Sequence, residues 1–138
     1  MFKKILLATD GSEHSLRSAE HAIKLAIQFN GTVDVVYVVD ARTSKSDVLH
    51  YVDKYEVKRE RQEKIKPVLT LLESSEIDYK VQILHGEPGP SIVDYANKHD
   101  FNCVVVGSRG LNNLQTMVLG SVSHKLAKRV KCPVLITK

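Results

Sequence analysis

GSRGLNNLQTMVLGS, residues 107–121, follows the apolar run Cys103-Val104-Val105-Val106. It precedes a segment in which Val122, Leu126 and Val130 recur at helical spacing. The order is strand, glycine-punctuated loop, helix. Glycine has no Cβ, so the backbone at Gly107, Gly110 and Gly120 can lie close to a ligand. The start of the helix offers N–H groups with no intrahelical acceptor and the positive end of its dipole. Together these make an anion site, most often used for phosphate. Ser121 and Ser123 add hydroxyls in the first turn, and Val122 adds a backbone N–H while its side chain packs inward. The competing reading is a loop that only turns the chain, with a serine as cap. The loop runs to about a dozen residues, against about 2–6 for most βα connections, and carries glycine at both ends, which favours a ligand.

Outward from this unit, the same alternation repeats. Residues 4–9 (KILLAT) form a continuous apolar run, as in a strand buried on both faces, and Asp10-Gly11-Ser12 turns into a helix with Ser12 or Asp10 as N-cap. Leu16, Ala19, Ile23, Ala26 and Ile27 mark the inner face of that helix, and Asn30-Gly31 ends it. Val33–Val39 is rich in β-branched residues and reads as a second strand. Residues 41–53 show no periodicity and stand open as a lid or a surface insertion. A helix is expected over Lys54–Ser74, with Val57, Ile65, Val68, Leu69 and Leu72 inward; Pro67 either kinks it or starts a new one. Tyr79–Leu84 alternates as a third strand. His85-Gly86-Glu87-Pro88 turns into a short helix with Ile92, Val93 and Ala96 inward. Asn102–Val106, a helix over Gly120–Val130 and a strand over Pro133–Thr137 follow. The order β-α-β-α-β-α-β-α-β implies one α/β domain over residues 1–138, a five-stranded parallel sheet with helices on both faces. Ligands bind such sheets beyond the strand C-terminal ends where strand order reverses, so strands one and four should flank the crevice and bring Asp10 opposite Gly107.

The glycine spacing G-x2-G-x9-G-S is neither the Walker pattern nor the dinucleotide fingerprint. It matches the motif of the ATP-binding branch of the universal stress protein family, which the chain resembles over nearly its whole length. The match includes Lys3–Ser12 (KKILLATDGS), Tyr37-Val38-Val39-Asp40, Gly86-Glu87-Pro88 and Cys132-Pro133-Val134-Leu135-Ile136. The resemblance implies a Rossmann-like fold of the adenine nucleotide alpha hydrolase type and an ATP site, with AMP or another adenine nucleotide as alternatives. It further implies Asp10 as a nucleotide-site residue, Ala8 and Thr9 beside it through backbone groups, and Val38 meeting adenine through its main chain. It also implies a homodimer through the last strand and slow hydrolysis at most.

Read on their own, these residues keep second roles. Asp10 caps a turn or accepts hydrogen bonds from ribose hydroxyls; Val38 is a core valine or both; Arg109 pairs with a phosphate or is an exposed loop residue. Magnesium would arrive with a triphosphate, held by its oxygens. His14, His21, His50, His85, His99 and His124 form no ligand pair at zinc spacing, and Cys103 and Cys132 read as reduced thiols, so no protein-ligated metal is expected. No residue is assigned a catalytic role: the loop has no Walker lysine, Lys125 lies a full turn inside the helix, and Gln115 is a poor water-positioning group. The expected function is that of a nucleotide-binding regulator of a stress response, acting on an unidentified protein partner. A ligand-free homodimeric scaffold and a slow ATPase are the alternatives.

Composition narrows the partners. A net charge of +4, with one basic cluster at Lys125, Lys128, Arg129 and Lys131, comes with an aromatic content of 6% and no aromatics interleaved with the cluster. A solvated helix face explains it better than nucleic-acid binding. Apolar runs are too short to span a bilayer, and the N-terminal apolar run reads as a strand rather than a signal peptide, so cytoplasmic residence is expected.

Overall fold

A computed structural model describes residues 1–39, 54–108 and 120–138, with backbone alone at 54–58 and 60. In chain order the elements are β1 (Lys4–Thr9), α1 (Glu13–Phe29), β2 (Thr32–Val39), α2 (Lys54–Ser74), β3 (Tyr79–His85), α3 (Pro88–Lys98), β4 (Cys103–Gly107), α4 (Ser121–Arg129) and β5 (Val134–Thr137). The five strands form one parallel sheet in the order β3-β2-β1-β4-β5. The chain winds outward from β1 to β3, then crosses back to β4 and β5. The reversal therefore falls between β1 and β4, the pair expected from the sequence.

Parallel strands covered on both faces carry apolar residues in both alternations. Ile5, Leu7, Val33, Val35, Cys103 and Val105 pack with Ala19, Ala22 and Ala26 of α1 and Val68 and Leu72 of α2. Leu6, Ala8, Val36, Val104 and Val106 pack against Ile92, Val93 and Ala96 of α3 and Leu126 of α4 on the other face.

Two details of α1 differ from expectation. Ile27 is 60% exposed. It lies one residue beyond Ala26, about 100° further round the helix, which takes it off the stripe that faces the sheet. At the C-terminus it is Asn30, not Gly31, that takes the left-handed conformation, with φ 53°. The Gly31 amide closes the turn on the Ala26 carbonyl at 2.7 Å. Gly31 is required for another reason: a Cβ there would lie 2.6 Å from the Lys3 carbonyl oxygen. α2 runs unbroken through Pro67. Val57 and the 41–53 segment lie outside the described residues or side chains.

Candidate functional site

The C-terminal ends of β1 and β4 lie side by side, with Leu7 paired to Val105 in the register. Thr9-Asp10 and Gly107-Ser108 leave the sheet there. Past β1 the chain folds on its own side chains: the Gly11 amide donates to Thr9 Oγ1 at 3.3 Å and the Ser12 amide to Asp10 Oδ1 at 2.9 Å. Gly11 takes φ +81° against the backbone of Lys64 in α2, a conformation that favours glycine. The turn role of Asp10 is thus present. Ser12 is the N-cap of α1, without a side-chain cap bond, and its buried hydroxyl has no hydrogen-bond partner among the described residues. Thr9 is buried and Asp10 half-buried.

Past β4, the Ser108 amide donates to the Thr137 carbonyl at 2.8 Å, extending the β4–β5 ladder by one step. The Ser108 carbonyl accepts from the Gly120 amide at 3.0 Å. The two ends of the glycine-lined loop therefore meet across one hydrogen bond. A Cβ on Gly120 would sit 3.1 Å from the Ser108 carbonyl oxygen. Gly120 is the N-cap of α4, with an extended backbone at φ −60° and ψ 158°. Having no side chain, it offers no side-chain cap, and the N–H groups of Ser121, Val122 and Ser123 have no acceptor within the helix itself. They lie at the positive end of the α4 dipole, and its first turn carries no acidic residue to compete for them.

The serines behave differently from one another. Ser121 is exposed. Ser123 is 1% exposed, and its hydroxyl donates to the Gly120 carbonyl at 3.0 Å. Its hydroxyl therefore closes the helix start, leaving its amide as the group with a donor role. Lys125 runs along α3, where a Cβ on Gly89 would lie 2.6 Å from its Cδ. Its stem is used in helix packing.

Ala8, Val38 and Val122 share one apolar cluster on the α3–α4 face of the sheet. Ala8 is 5% exposed, and Val38 and Val122 are half-buried. The structure thus gathers Ala8, Thr9, Asp10, Val38, Gly107, Gly120, Ser121, Val122 and Ser123 at the C-terminal end of β1, β2 and β4. Arg109, Gly110 and Gln115 lie outside the described residues, as does Asp40. Sequence reasoning missed Ser108, whose backbone joins both loop ends, and the buried pair Ser18–Thr137 beneath it. A serine inside the apolar stripe of α1 and a threonine closing an apolar strand were the only signals available.

An open groove of about 550 Å³ lies elsewhere, between α1 and α2, lined by Leu16, Glu20, Glu63, Pro67 and Leu71 among others. Its one hydroxyl, Thr70 Oγ1, donates to the Lys66 carbonyl of its own helix at 2.9 Å. The groove thus offers no uncommitted hydroxyl, whereas the β1–β4 end offers the first amides of α4. Among the described residues no group of three His, Cys, Asp or Glu side chains is placed to hold a metal ion, and no helix is long and apolar enough to cross a membrane. Burial pushes the Cys103 and Cys132 thiols above the usual thiol range.

Sheet order, strand direction and the glycine-bounded βα unit define a Rossmann-like α/β protein with its loops gathered at the switch point. The chain belongs to the universal stress protein family, whose model matches residues 1–138. It is 36% identical over 143 residues to universal stress protein MJ0531 of Methanocaldococcus jannaschii, covering 100% of this chain and 83% of that one. It is 32% identical over 148 residues to universal stress protein YxiE of Bacillus subtilis, covering 100% of both. The solved structure of the hypothetical protein MJ0577 superposes with a TM-score of 0.84 at 29% identity, over 100% of this chain and 96% of that one. A universal stress protein in complex with cAMP gives a TM-score of 0.74 at 23% identity, over 99% and 97% of the two chains. One from Archaeoglobus fulgidus in complex with dAMP gives 0.73 at 21% identity, over 100% of both. The last two likenesses establish the fold.

Proposed function

We propose that this universal stress protein binds an adenine nucleotide, ATP in the first place, and acts as a regulator in a stress response with little or no hydrolysis of its own. One observation carries the reading: the Gly120 amide bonds the Ser108 carbonyl at 3.0 Å, which brings the bare backbone at both loop ends against the start of α4. That is the local geometry a phosphate cradle needs, bare backbone on two sides and helix-start amides on a third. The amides of Ser121, Val122 and Ser123 would hold phosphate oxygens, with Gly107, Arg109 and Gly110 completing the cradle. Ala8, Val38 and Val122 supply the apolar wall for adenine, with the Val38 main chain reading its edge. Asp10 and Thr9 would face the ribose, where a carboxylate accepts from hydroxyls. Magnesium would come with the phosphates, which supply its oxygens. Two fold neighbours, one in complex with cAMP and one with dAMP, support the adenine class.

The reading of little or no hydrolysis is supported by the described groups near the helix start. Lys125 is used against α3, and the Ser123 hydroxyl is used by Gly120. Equilibrium binding of labelled ATP tests the reading, with Gly110→Ala and Asp10→Ala alongside. Binding that is lost in both variants is expected; equal binding by all three proteins removes the site. Mass spectrometry of small molecules released from freshly purified protein would name the nucleotide.

A second reading keeps the fold without the ligand, as a homodimeric scaffold in the cytoplasm. The observation favouring assembly is β5, an edge strand with Leu135 38% exposed. Such an edge has main-chain groups and apolar side chains to cover, and a second copy pairing along it would do so. Assembly and nucleotide binding are compatible.

A further inference from the structure

We propose that Ser18 and Thr137 are positioning residues for the glycine-lined anion site, acting through the backbone of Ser108. The proposal rests on the nucleotide reading above and adds to it a mechanical link between the site and the edge strand. Ser18 in α1 is 0% exposed and Thr137 at the end of β5 is 7% exposed. Their hydroxyls are 2.7 Å apart. The Thr137 carbonyl accepts from the Ser108 amide at 2.8 Å, and the Ser108 carbonyl accepts from the Gly120 amide at 3.0 Å. A chain of three hydrogen bonds thus runs from the middle of α1, through the last residue of β5, to the first residue of the α4 cap. Ser108 is pinned on both sides, and it is the residue from which the glycine-lined loop departs.

The polar pair has a purpose that packing alone does not supply. β5 has only four residues and lies at the sheet edge, so a short ladder and the packing of Val134 and Ile136 on one face are what hold its register. A valine would fill the place of Thr137 with similar volume and good strand propensity. The hydroxyl does what a methyl cannot: it ties one residue of β5 to one residue of α1. A slip of β5 by one position would turn Thr137 to the other face, break the Ser18–Thr137 bond and deprive the buried Ser18 hydroxyl of this partner. It would also take the Thr137 carbonyl away from Ser108. Register at this edge therefore sets the spacing between Ser108 and Gly120. By linkage, whatever pairs along β5 and whatever binds at the start of α4 beside Ser108 would change each other's affinity by the same factor.

The test uses the whole chain and four variants: Thr137→Val, Thr137→Ser, Ser18→Ala and the double Ser18→Ala/Thr137→Val. Two quantities are read: the Kd for labelled ATP, and the hydrogen-exchange rates of the Ser108 and Gly120 amides without ligand. Thr137→Val should weaken ATP binding about three- to tenfold, the worth of one hydrogen bond, and speed exchange at Gly120. Thr137→Ser keeps the hydroxyl and should bind within about twofold of the parent. The double variant should be no worse than Thr137→Val, because both changes break one bond. Urea unfolding confirms that each variant is folded, and Ser18→Ala carries the test if Thr137→Val is not. A folded Thr137→Val or Ser18→Ala with parental Kd and parental exchange at Gly120 overturns the proposal while the nucleotide reading stands. A parent protein that binds no ATP removes the nucleotide reading, and exchange at Gly120 then decides the strut alone.

Discussion

Replacing Gly120 by alanine separates what this residue does for the fold from what it does for a ligand. The backbone there, at φ −60° and ψ 158°, is open to any L-residue, so alanine meets no conformational strain. Stiffening the unfolded chain gains about 0.4–1 kcal/mol. Against this, alanine is a poorer N-cap than glycine, a loss of roughly 0.5–1 kcal/mol. The new methyl would lie 3.1 Å from the Ser108 carbonyl oxygen and 3.7 Å from Ser123 Oγ, so Ser108 must give way by a few tenths of an ångström. These effects nearly cancel, and stability should change by no more than about 1 kcal/mol. Binding has no such compensation. On the proposed reading, a methyl that pushes Ser108 away from the start of α4 disturbs the amides offered to a phosphate, and loss of one hydrogen bond to a charged group would cost about 1.5–3 kcal/mol. That corresponds to about ten- to a hundredfold in Kd. Labelled-ATP titration read beside urea unfolding distinguishes the two. A Gly120→Ala protein that is folded and binds with parental affinity would show that the Ser108–Gly120 approach only turns the chain.

Three further outcomes are expected. Gly31→Ala drives a Cβ to 2.6 Å from the Lys3 carbonyl and 2.8 Å from the Phe2 carbonyl, both backbone atoms that cannot swing aside. It should destabilise by about 1–3 kcal/mol and lower Tm by several degrees. Because burial raises the Cys103 thiol, its contribution to stability is full below the ordinary thiol value of 9.0 and is lost as pH rises through the raised value. Urea midpoints should therefore fall on the alkaline side, and Cys103→Ala should flatten that fall; an unchanged slope counts against a buried neutral thiol. Leu135→Lys puts a charge on the exposed face of the edge strand β5 and should turn a dimer into monomers by light scattering. A persistent dimer would move the interface elsewhere.

Much of the fold was readable because β1, β2 and β4 are apolar in both alternations, which only a sheet covered on both faces explains. The bounds of β1 and α2 agree with expectation, and those of β2, β3, β4, α4 and β5 agree to within one residue at either end. Glycine was harder to read. Gly31 looked like a helix terminator, yet the left-handed residue is Asn30, and the glycine answers to Lys3, distant in sequence. Helical spacing from Ile23 put Ile27 on the inner face of α1, but it lies past the edge of the stripe that meets the sheet and is exposed. Within the candidate site, the spacing of Gly107, Gly120 and Ser121 pointed to backbone that the fold brings to the C-terminal end of β4 and the start of α4. It also credited the Ser123 hydroxyl to a ligand, whereas that group bonds Gly120.

Local chemistry in the chain determined which segments are strands and helices and which backbone stretches carry no side chain, since both follow from residue periodicity and from the missing Cβ of glycine. The alternation also placed the reversal between β1 and β4. What no periodicity contains is partnership across the fold. That Ser108 bonds Thr137 and Gly120, that Ser18 meets Thr137, and that Ala8, Val38 and Val122 form one wall were decided by the packed structure. Hydrogen bonds between groups far apart in sequence depend on register and distance, and these exist only once the sheet has closed.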